Sequence, residues 1–289
     1  MNDEFETNED IPGIAGGATL SERLPKGYLS VSQIGQYMKC GRAYEFRYVL
    51  DKPIPKTSFT ALGSAVHAAA EKLHVGMMEA ALPPPLEFVE SAFSDAHDAH
   101  FEDPDVIIME EDADGKTKDV GMKLTRLYYK GAIGELIDPE TKEPLRKIYP
   151  IAAERVVRTM LKPTDGDEVP FLGIIDLEEA DEVADLKTKR KKGNQGEVDN
   201  SLQLSLYAHV TGKKTVRHDQ LIKPSAKLPE RLFRIRSTRT DAEIEHAVNI
   251  AADVATDIAR GRFPLTMPDN WWCTEKWCPF WSDCRGKKR

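Results

Sequence analysis

The chain has 289 residues, of which 40% are apolar and 30% charged, and this composition is ordinary for a globular protein. No apolar run approaches the length that crosses a bilayer, which argues against a membrane role. The first ten residues lack the basic and apolar regions of a secretory signal, so we expect a cytoplasmic protein. The net charge of -8 argues against a nucleic-acid partner. However, five acids lie within residues 1 to 10, and a cleft that collects metal ions also carries carboxylates.

The order of patterns along the chain predicts an α/β fold. Residues 1 to 27 are acidic without a sustained period, which predicts a disordered tail. Residues 28 to 289 are predicted to form one domain, because helical patterns come first, strand patterns follow and helices return. The predicted parts of this domain are N-terminal helices, a helical insertion at about 76 to 145, a sheet at about 146 to 240, a helix at 241 to 260 and a cysteine-rich region at 271 to 285.

Two carboxylates and a lysine follow each other closely in the predicted sheet. Asp185 and Lys187 lie two apart on a strand, so their side chains share a face while Leu186 points into the core. Asp176 ends the preceding apolar strand, and the short connection predicts a hairpin that brings it beside Asp185. Two neighbouring carboxylates repel unless a cation lies between them, and hard oxygen ligands suit Mg²⁺ or Mn²⁺. Such an ion can neutralise charge on a scissile phosphate while the lysine holds water or a phosphoryl oxygen.

A D-x-K tripeptide by itself is usually a solvated surface pair, but five further motifs surround this one in order. The six motifs are S-x-S-x-I-x-x-Y-x-x-C at residues 30 to 40, G-x-x-x-H at 63 to 67, a strand glutamate at Glu154, G-x-x-D at 173 to 176, D-x-K at 185 to 187 and Q-x-x-x-Y at 203 to 207. The sequence therefore resembles the RecB-type nucleases of the PD-(D/E)xK superfamily. The resemblance implies a restriction-endonuclease-like mixed central sheet flanked by helices.

The resemblance also implies a role for each motif residue. His67, Asp176 and Asp185 are expected to be metal ligands together with the Leu186 carbonyl. Lys187 is expected to be the catalytic lysine, and Glu154 a supporting carboxylate. A histidine on an apolar helix can also be a packed core residue, and Glu154 could simply cap the sheet edge.

The Q-x-x-x-Y motif leaves two interpretations open. Gln203 and Tyr207 lie four apart on one helix face, where they could hydrogen-bond DNA or support Lys187. Core packing is an equally good account of Tyr207.

Four cysteines suggest a second metal site, because cytosolic thiols are kept reduced. Cys273, Cys278 and Cys284 are close together in the sequence, whereas Cys40 lies far upstream. A distant ligand plus a local trio favours an iron-sulfur cluster over zinc, which more often has two close pairs of ligands. Tryptophans and phenylalanine around the trio could shield such a cluster or be ordinary core.

The iron-sulfur branch of RecB-type nucleases, which includes CRISPR-adaptation and AddB-type enzymes, holds a 4Fe-4S cluster in this arrangement. The resemblance thus implies a cluster that clasps both ends of the domain. The gap from Cys273 to Cys278 is wider than the C-x-x-C of that branch. Zinc and free or oxidised thiols remain alternatives.

Basic residues follow the D-x-K motif and suggest where nucleic acid binds. Lys189 and Arg190 lie in a basic loop at residues 188 to 193, and further charge comes from Arg231, Arg234, Arg236, Arg239 and residues 287 to 289. Charge runs are usually solvated faces, but this one adjoins a carboxylate cluster. We expect contacts with the DNA backbone and unstacked bases rather than base-specific recognition.

The leading hypothesis is a metal-dependent DNA nuclease. By analogy with the resembled family, we expect an exonuclease that acts on single strands or duplex ends in recombination, repair or phage replication. A non-catalytic DNA-binding or adaptor module that kept the fold is the second hypothesis. A zinc-stapled structural protein is the third.

Overall fold

The computed structural model describes residues 19–80, 82–112 and 115–285. The helices are α1 (Leu20–Arg23), α2 (Val31–Lys39), α3 (Gly41–Tyr44), α4 (Ser58–Ala80), α5 (Leu86–Phe101), α6 (Thr117–Ala132), α7 (Gln195–Asp199), α8 (Leu202–Thr211), α9 (Asp241–Ala259) and α10 (Trp281–Arg285). The strands are β1 (Ala152–Leu161), β2 (Val169–Glu178), β3 (Glu182–Lys189), β4 (Thr215–Ile222) and β5 (Arg231–Thr238). No described helix is both long and apolar enough to span a membrane.

Helix α1 lies inside the tail that the sequence predicts at residues 1 to 27. Residues 1 to 18 of that tail are outside the described part of the chain. The helix forms because Thr19 and Glu22 cap it reciprocally: the Thr19 hydroxyl accepts from the Glu22 N–H, and the Glu22 carboxylate accepts from the Thr19 N–H at 2.7 Å. Leu20 and Leu24 are buried, so the prediction places the end of the tail too late.

The chain divides into two compact units, where the sequence analysis expects one domain. One unit comprises residues 1–54, 158–172 and 245–289, and the other comprises residues 55–157 and 173–244. Three of the four boundaries fall within β1, β2 and α9. Sequence periodicity predicts individual helices and strands, but it does not indicate which of them assemble into one compact unit.

The five strands form one mixed sheet in the order β1-β2-β3-β4-β5. β2 and β3 are antiparallel, β3 and β4 are parallel, and β4 and β5 are antiparallel. A parallel pair needs a crossover connection, which α7 and α8 provide here. This connection places α8 in contact with β3, and α8 carries the Q-x-x-x-Y motif.

Helices α4, α5 and α6 pack together and bury one hydrophobic core of the second unit. Leu62, Val66 and Leu73 recur along α4 at helical spacing and are fully buried. Gly121 lets α6 approach α5 closely, because a Cβ atom there would lie 2.1 Å from the Phe93 ring. This packing holds α4 in place, and α4 carries His67.

In the first unit, the chain around Cys40 packs against residues 263 and 264. Gly41 permits this contact, since a Cβ atom there would lie 2.5 Å from the Pro264 ring. The Tyr37 hydroxyl donates to the Arg262 carbonyl at 2.9 Å. These contacts bring Cys40 close to the segment that leads into the three C-terminal cysteines.

Candidate functional site

Three side chains from different elements form a potential metal site in the second unit. His67 comes from α4, Glu154 from β1 and Asp176 from β2. One ligand atom of each lies within 4.8 Å of the others, and among the described residues no other group of His, Cys, Asp and Glu meets this criterion. His67 Nδ1 is 3.5 Å from Asp176 Oδ2 and 3.8 Å from Glu154 Oε1. The two carboxylates are ligands that suit Mg²⁺ or Mn²⁺.

Glu154 has a strained backbone, with φ at +44°. This left-handed conformation favours glycine and costs a glutamate about 1–2 kcal/mol. Backbone strain of this kind is concentrated at functional sites. An acid that merely capped the sheet edge would not need it, so the conformation favours the supporting role over the cap.

Asp176 is largely buried and accepts a hydrogen bond from the Leu186 N–H at 2.8 Å. The β2–β3 register pairs Leu177 with Ala184, which places Asp176 next to Asp185. Burial raises the pKa of Asp176 and the Asp185 charge raises it further, while His67 and the Leu186 N–H lower it; the net effect is a raised pKa. The ionised carboxylate is therefore held in an unfavourable environment that a bound cation would relieve.

The His67 imidazole responds to the same carboxylates. Burial lowers its pKa, but the nearby carboxylates of Glu154, Asp176 and Asp185 produce a net increase. His67 therefore lies among carboxylates rather than in a purely apolar setting, unlike the packed core histidine that the sequence left open.

Asp185 and Lys187 form a close ion pair, as the alternation along β3 predicts. Lys187 Nζ is 2.7 Å from Asp185 Oδ2, and the Asp185 side chain is buried. Asp185 lies outside the group formed by His67, Glu154 and Asp176.

His218 is a neighbour that the sequence analysis missed. Its Nε2 lies 3.6 Å from Asp185 Oδ2, because the parallel β3–β4 register pairs the two residues. Only the strand register could have revealed this contact, and the register of a parallel pair is not readable from the local pattern of one chain.

The Q-x-x-x-Y motif supports the lysine. The Gln203 side-chain carbonyl accepts from Lys187 Nζ at 3.1 Å, and its amide nitrogen donates to the Tyr207 hydroxyl at 3.0 Å. Tyr207 in turn donates to the Ile174 carbonyl and is buried. Because these groups bond to one another inside the protein, the contacts favour support of Lys187 over direct contact with DNA.

Two of the arginines expected to contact DNA, Arg234 and Arg239, are internal. Arg234 is 2% exposed and lies 3.5 Å from Asp219, while Arg236 donates to Glu182 at 2.8 Å. Arg239 is 1% exposed and donates to Ser205 at 2.8 Å. Arg234 and Arg239 therefore do not form part of a DNA surface, whereas the Arg236 side chain is 43% exposed. Residues 287 to 289 lie outside the described part of the chain.

Arg217 lies at the centre of a buried ionic network. The sequence analysis did not identify this residue. Its side chain is fully buried and hydrogen-bonds Asp219 at 2.7 Å, Glu179 at 3.0 Å and Glu182. Burial lowers the pKa of Arg217, but the three carboxylates raise it more strongly. Arg146 also donates to Glu182 at 2.5 Å.

The basic loop after Lys187 has mixed surroundings. Lys189 forms an ion pair with Glu197, whereas Arg190 lines a separate cavity at the end of β3. Both residues lie within three positions of Lys187 in the sequence, but Arg190 is the one that lines the cavity.

The four cysteines line one cavity in the first unit, and none forms a disulfide. In the cavity, Arg285 Nη2 donates to Cys273 Sγ at 3.2 Å. Burial raises the pKa of the Cys278 thiol, the Phe280 N–H lowers it, and the other three cysteines raise it further. The structure therefore brings Cys40 together with the C-terminal trio.

The thiols are spaced more widely than the ligands of a single bound ion. Four thiolates around one zinc ion lie about 3.8 Å apart, given a Zn–S distance of about 2.3 Å. Within the described residues, no three cysteine sulfurs lie within 4.8 Å of one another. Phe280 is buried beside the cysteines, but Trp271 and Trp277 are 64% and 45% exposed. The aromatic residues therefore cover the site only in part, unlike the apolar shield that the sequence suggests.

A mixed sheet that carries an acidic cluster next to a supported lysine is typical of metal-dependent nucleases. A family model of the PD-(D/E)XK nuclease superfamily matches residues 28–285, and the chain therefore belongs to this superfamily. The chain is also similar to the crystal structure of SSO0001, with 13% identity and a TM-score of 0.35 over 80% of this chain and 96% of that one. No curated protein matches the sequence.

Proposed function

We propose that this protein is a RecB-type, Mg²⁺- or Mn²⁺-dependent deoxyribonuclease that acts as an exonuclease on single-stranded DNA or duplex ends. One observation carries the proposal. Lys187 is held between Asp185 and Gln203, one residue from the Leu186 N–H that binds Asp176. The Lys187 ammonium is thus fixed next to a cluster in which the carboxylates outnumber the cations.

The metal ligands in this proposal are His67, Asp176, Asp185 and the Leu186 carbonyl, with Glu154 as a supporting carboxylate. A bound ion would stabilise negative charge that develops on the scissile phosphate. Asp185 is adjacent to Asp176 across the strand pair, so a small rotation away from Lys187 would let it join the other ligands.

Lys187 has a separate task. Its side chain is 37% exposed, so the ammonium can reach a substrate while Gln203 and Tyr207 hold its direction. An ammonium in this position donates a hydrogen bond to a water molecule or to a phosphoryl oxygen. Lys189 and Arg190 follow directly and supply charge for the DNA backbone.

Cys40, Cys273, Cys278 and Cys284 are proposed to hold a 4Fe-4S cluster. Four thiols, one distant in sequence and three close together, line one cavity and support this assignment. The cluster would tie residue 40 to the C-terminal segment. We further propose that the enzyme works in the cytoplasm, in recombination, repair or phage replication.

The nuclease proposal is tested by nucleotide release from labelled single-stranded, duplex and end-blocked DNA with Mg²⁺ or Mn²⁺. We expect activity on substrates with free ends and a loss of about 10²–10³-fold for Asp185→Ala and Lys187→Ala, because both act on the charge of the transition state. Lys72→Ala, an exposed lysine of α4, serves as the control and should keep full activity. Equal activity in all of these proteins would overturn the proposal.

The cluster is tested by metal and sulfide analysis after anaerobic purification. We expect iron and acid-labile sulfide in equal amounts, and loss of both in Cys40→Ser and Cys278→Ser. A colourless protein with stoichiometric zinc would contradict the assignment.

A further inference from the structure

A cavity of about 350 Å³ adjoins the C-terminal ends of β3 and β4 in the second unit. This volume lies in the range of small-molecule sites. Its charged and hydroxyl-bearing lining side chains are Asp112, Lys116, Thr117, Arg190, Lys223 and Ser225. Among the lining residues that the structure describes, three are cationic and one is a carboxylate.

Lys223 is the most informative residue of the cavity. Its side chain is 10% exposed, and its Nζ has no hydrogen-bond partner among the described residues. Asp112 Oδ1 forms an ion pair with the ammonium at 3.8 Å, beyond hydrogen-bond distance, and Ser58 donates to the other carboxylate oxygen at 2.7 Å. The ammonium also lies 5.0 Å from the centre of the Phe59 ring.

A buried ammonium without a hydrogen bond is unfavourable unless a ligand completes it. Burial lowers the pKa of Lys223, the Asp112 charge raises it, and Arg190 lowers it again. An anion in the cavity would remove this cost by accepting the missing hydrogen bond.

The start of α6 supplies further donors at the same place. Lys116 precedes the helix and Thr117 begins it, and no side chain caps the helix N-terminus. The first-turn N–H groups of a helix have no intrahelical acceptors, and they carry a partial positive charge. Helix N-termini with this property bind phosphate groups. Lys223 and α6 thus point independently to an anionic ligand.

We propose that this cavity binds a phosphate group of the nucleic-acid substrate other than the scissile one. Arg190 follows Lys187 by three residues of extended chain, which spans about 10 Å. A phosphate in the cavity would therefore lie away from the scissile phosphate, on a nearby nucleotide of the same strand. This choice of ligand depends on the proposed nuclease function. The phosphate is either the terminal phosphate of a strand or an internal phosphate.

Binding of short single-stranded oligonucleotides in Ca²⁺ tests this proposal. Three internally labelled oligonucleotides of one sequence are compared, with a 5′-phosphate, with a 3′-phosphate and with hydroxyls at both ends. We expect Lys223→Gln to weaken binding by about tenfold, because it removes a charged hydrogen bond. Lys223→Arg should restore the affinity, and the control Lys123→Gln, an exposed lysine of α6, should leave it unchanged.

The three oligonucleotides separate the two sources of phosphate. A loss confined to one phosphorylated end identifies a terminal phosphate, and an equal loss on all three identifies an internal one. Lys116→Gln provides a second variant at the exposed edge of the cavity, should Lys223→Gln fail to fold. Unchanged affinity in these variants, or no binding by the wild-type protein, overturns the proposal. Nucleotide release by the wild-type protein tests the proposed function separately.

Discussion

Two clusters of buried charge lie in the unit formed by residues 55–157 and 173–244, and they differ in how their charges are compensated. Around Arg217, the carboxylates of Glu179, Glu182 and Asp219 all contact arginines. Around Asp176, the carboxylates outnumber the cations. The first cluster consists of Glu179, Glu182 and Asp219 with Arg146, Arg217, Arg234 and Arg236. The second consists of Glu154, Asp176 and Asp185 with His67 and Lys187.

The pKa shifts follow from this difference in balance. Burial raises the pKa of Glu182, but Arg236 and Arg217 lower it to a net decrease. Asp176 shows the opposite net result, since burial and Asp185 together outweigh His67. Paired buried charge is typical of a structural network, whereas uncompensated carboxylate is typical of a site that awaits a cation.

The largest expected effect is on stability, at Arg217. Arg217→Gln leaves three buried carboxylates without their shared partner, and we expect the free energy of unfolding to fall by about 3–5 kcal/mol. Urea denaturation measures this change. Arg126→Gln, which breaks an exposed pair with Glu90, should cost less than about 1 kcal/mol. Similar losses in the two variants would contradict a special role for the buried network.

The second-largest expected effect is a gain in stability, at Asp176. Because the Asp176 pKa is raised in the folded state, ionisation destabilises the folded protein at neutral pH. Asp176→Asn keeps an acceptor for the Leu186 N–H and removes the charge. We therefore expect this variant to be more stable than the wild type in EDTA, by about 2 kcal/mol, while it loses activity. Thermal unfolding with and without Mn²⁺ checks this, and a less stable variant in EDTA would refute the unbalanced charge.

The third effect concerns the support of Lys187. Tyr207→Phe removes the hydroxyl that joins Gln203 to the Ile174 carbonyl. We expect kcat to fall about tenfold with little change in KM, because the lysine is misdirected rather than removed. Steady-state kinetics on single-stranded DNA measures this, with Tyr149→Phe, an exposed tyrosine, as the control. A change in KM alone would indicate that Tyr207 contacts substrate instead.

The smallest effect is the acid sensitivity caused by His74. This buried residue bonds Tyr128 at 3.0 Å, and burial lowers its pKa to about 3. The unfolded chain therefore takes up a proton below about pH 6.5 that the folded chain does not, and stability falls with pH. We expect wild type to lose about 1 kcal/mol more than His74→Gln between about pH 6.5 and pH 5.5. Parallel urea curves at the two pH values would show whether the difference exists.

The same comparison shows what a single sequence predicts well. Asp176, Asp185 and Lys187 could be grouped because a short hairpin and the alternation of β3 are local features. The backbone strain of Glu154 and the contact of His218 with Asp185 depend on long-range packing, so no local pattern predicts them. Arg234 was misread because a charged strand is usually solvated, whereas this residue is buried beside Asp219 of the neighbouring strand.

Isothermal titration calorimetry with Mn²⁺ tests most directly the claim that the uncompensated carboxylates form the metal site. We expect wild-type protein and Glu179→Gln, a variant of the balanced network, to bind the ion with similar affinity. Asp176→Asn should bind it at least about tenfold more weakly, since it removes a charged ligand. Equal affinity of Asp176→Asn and wild type would show that the uncompensated carboxylates do not form the metal site.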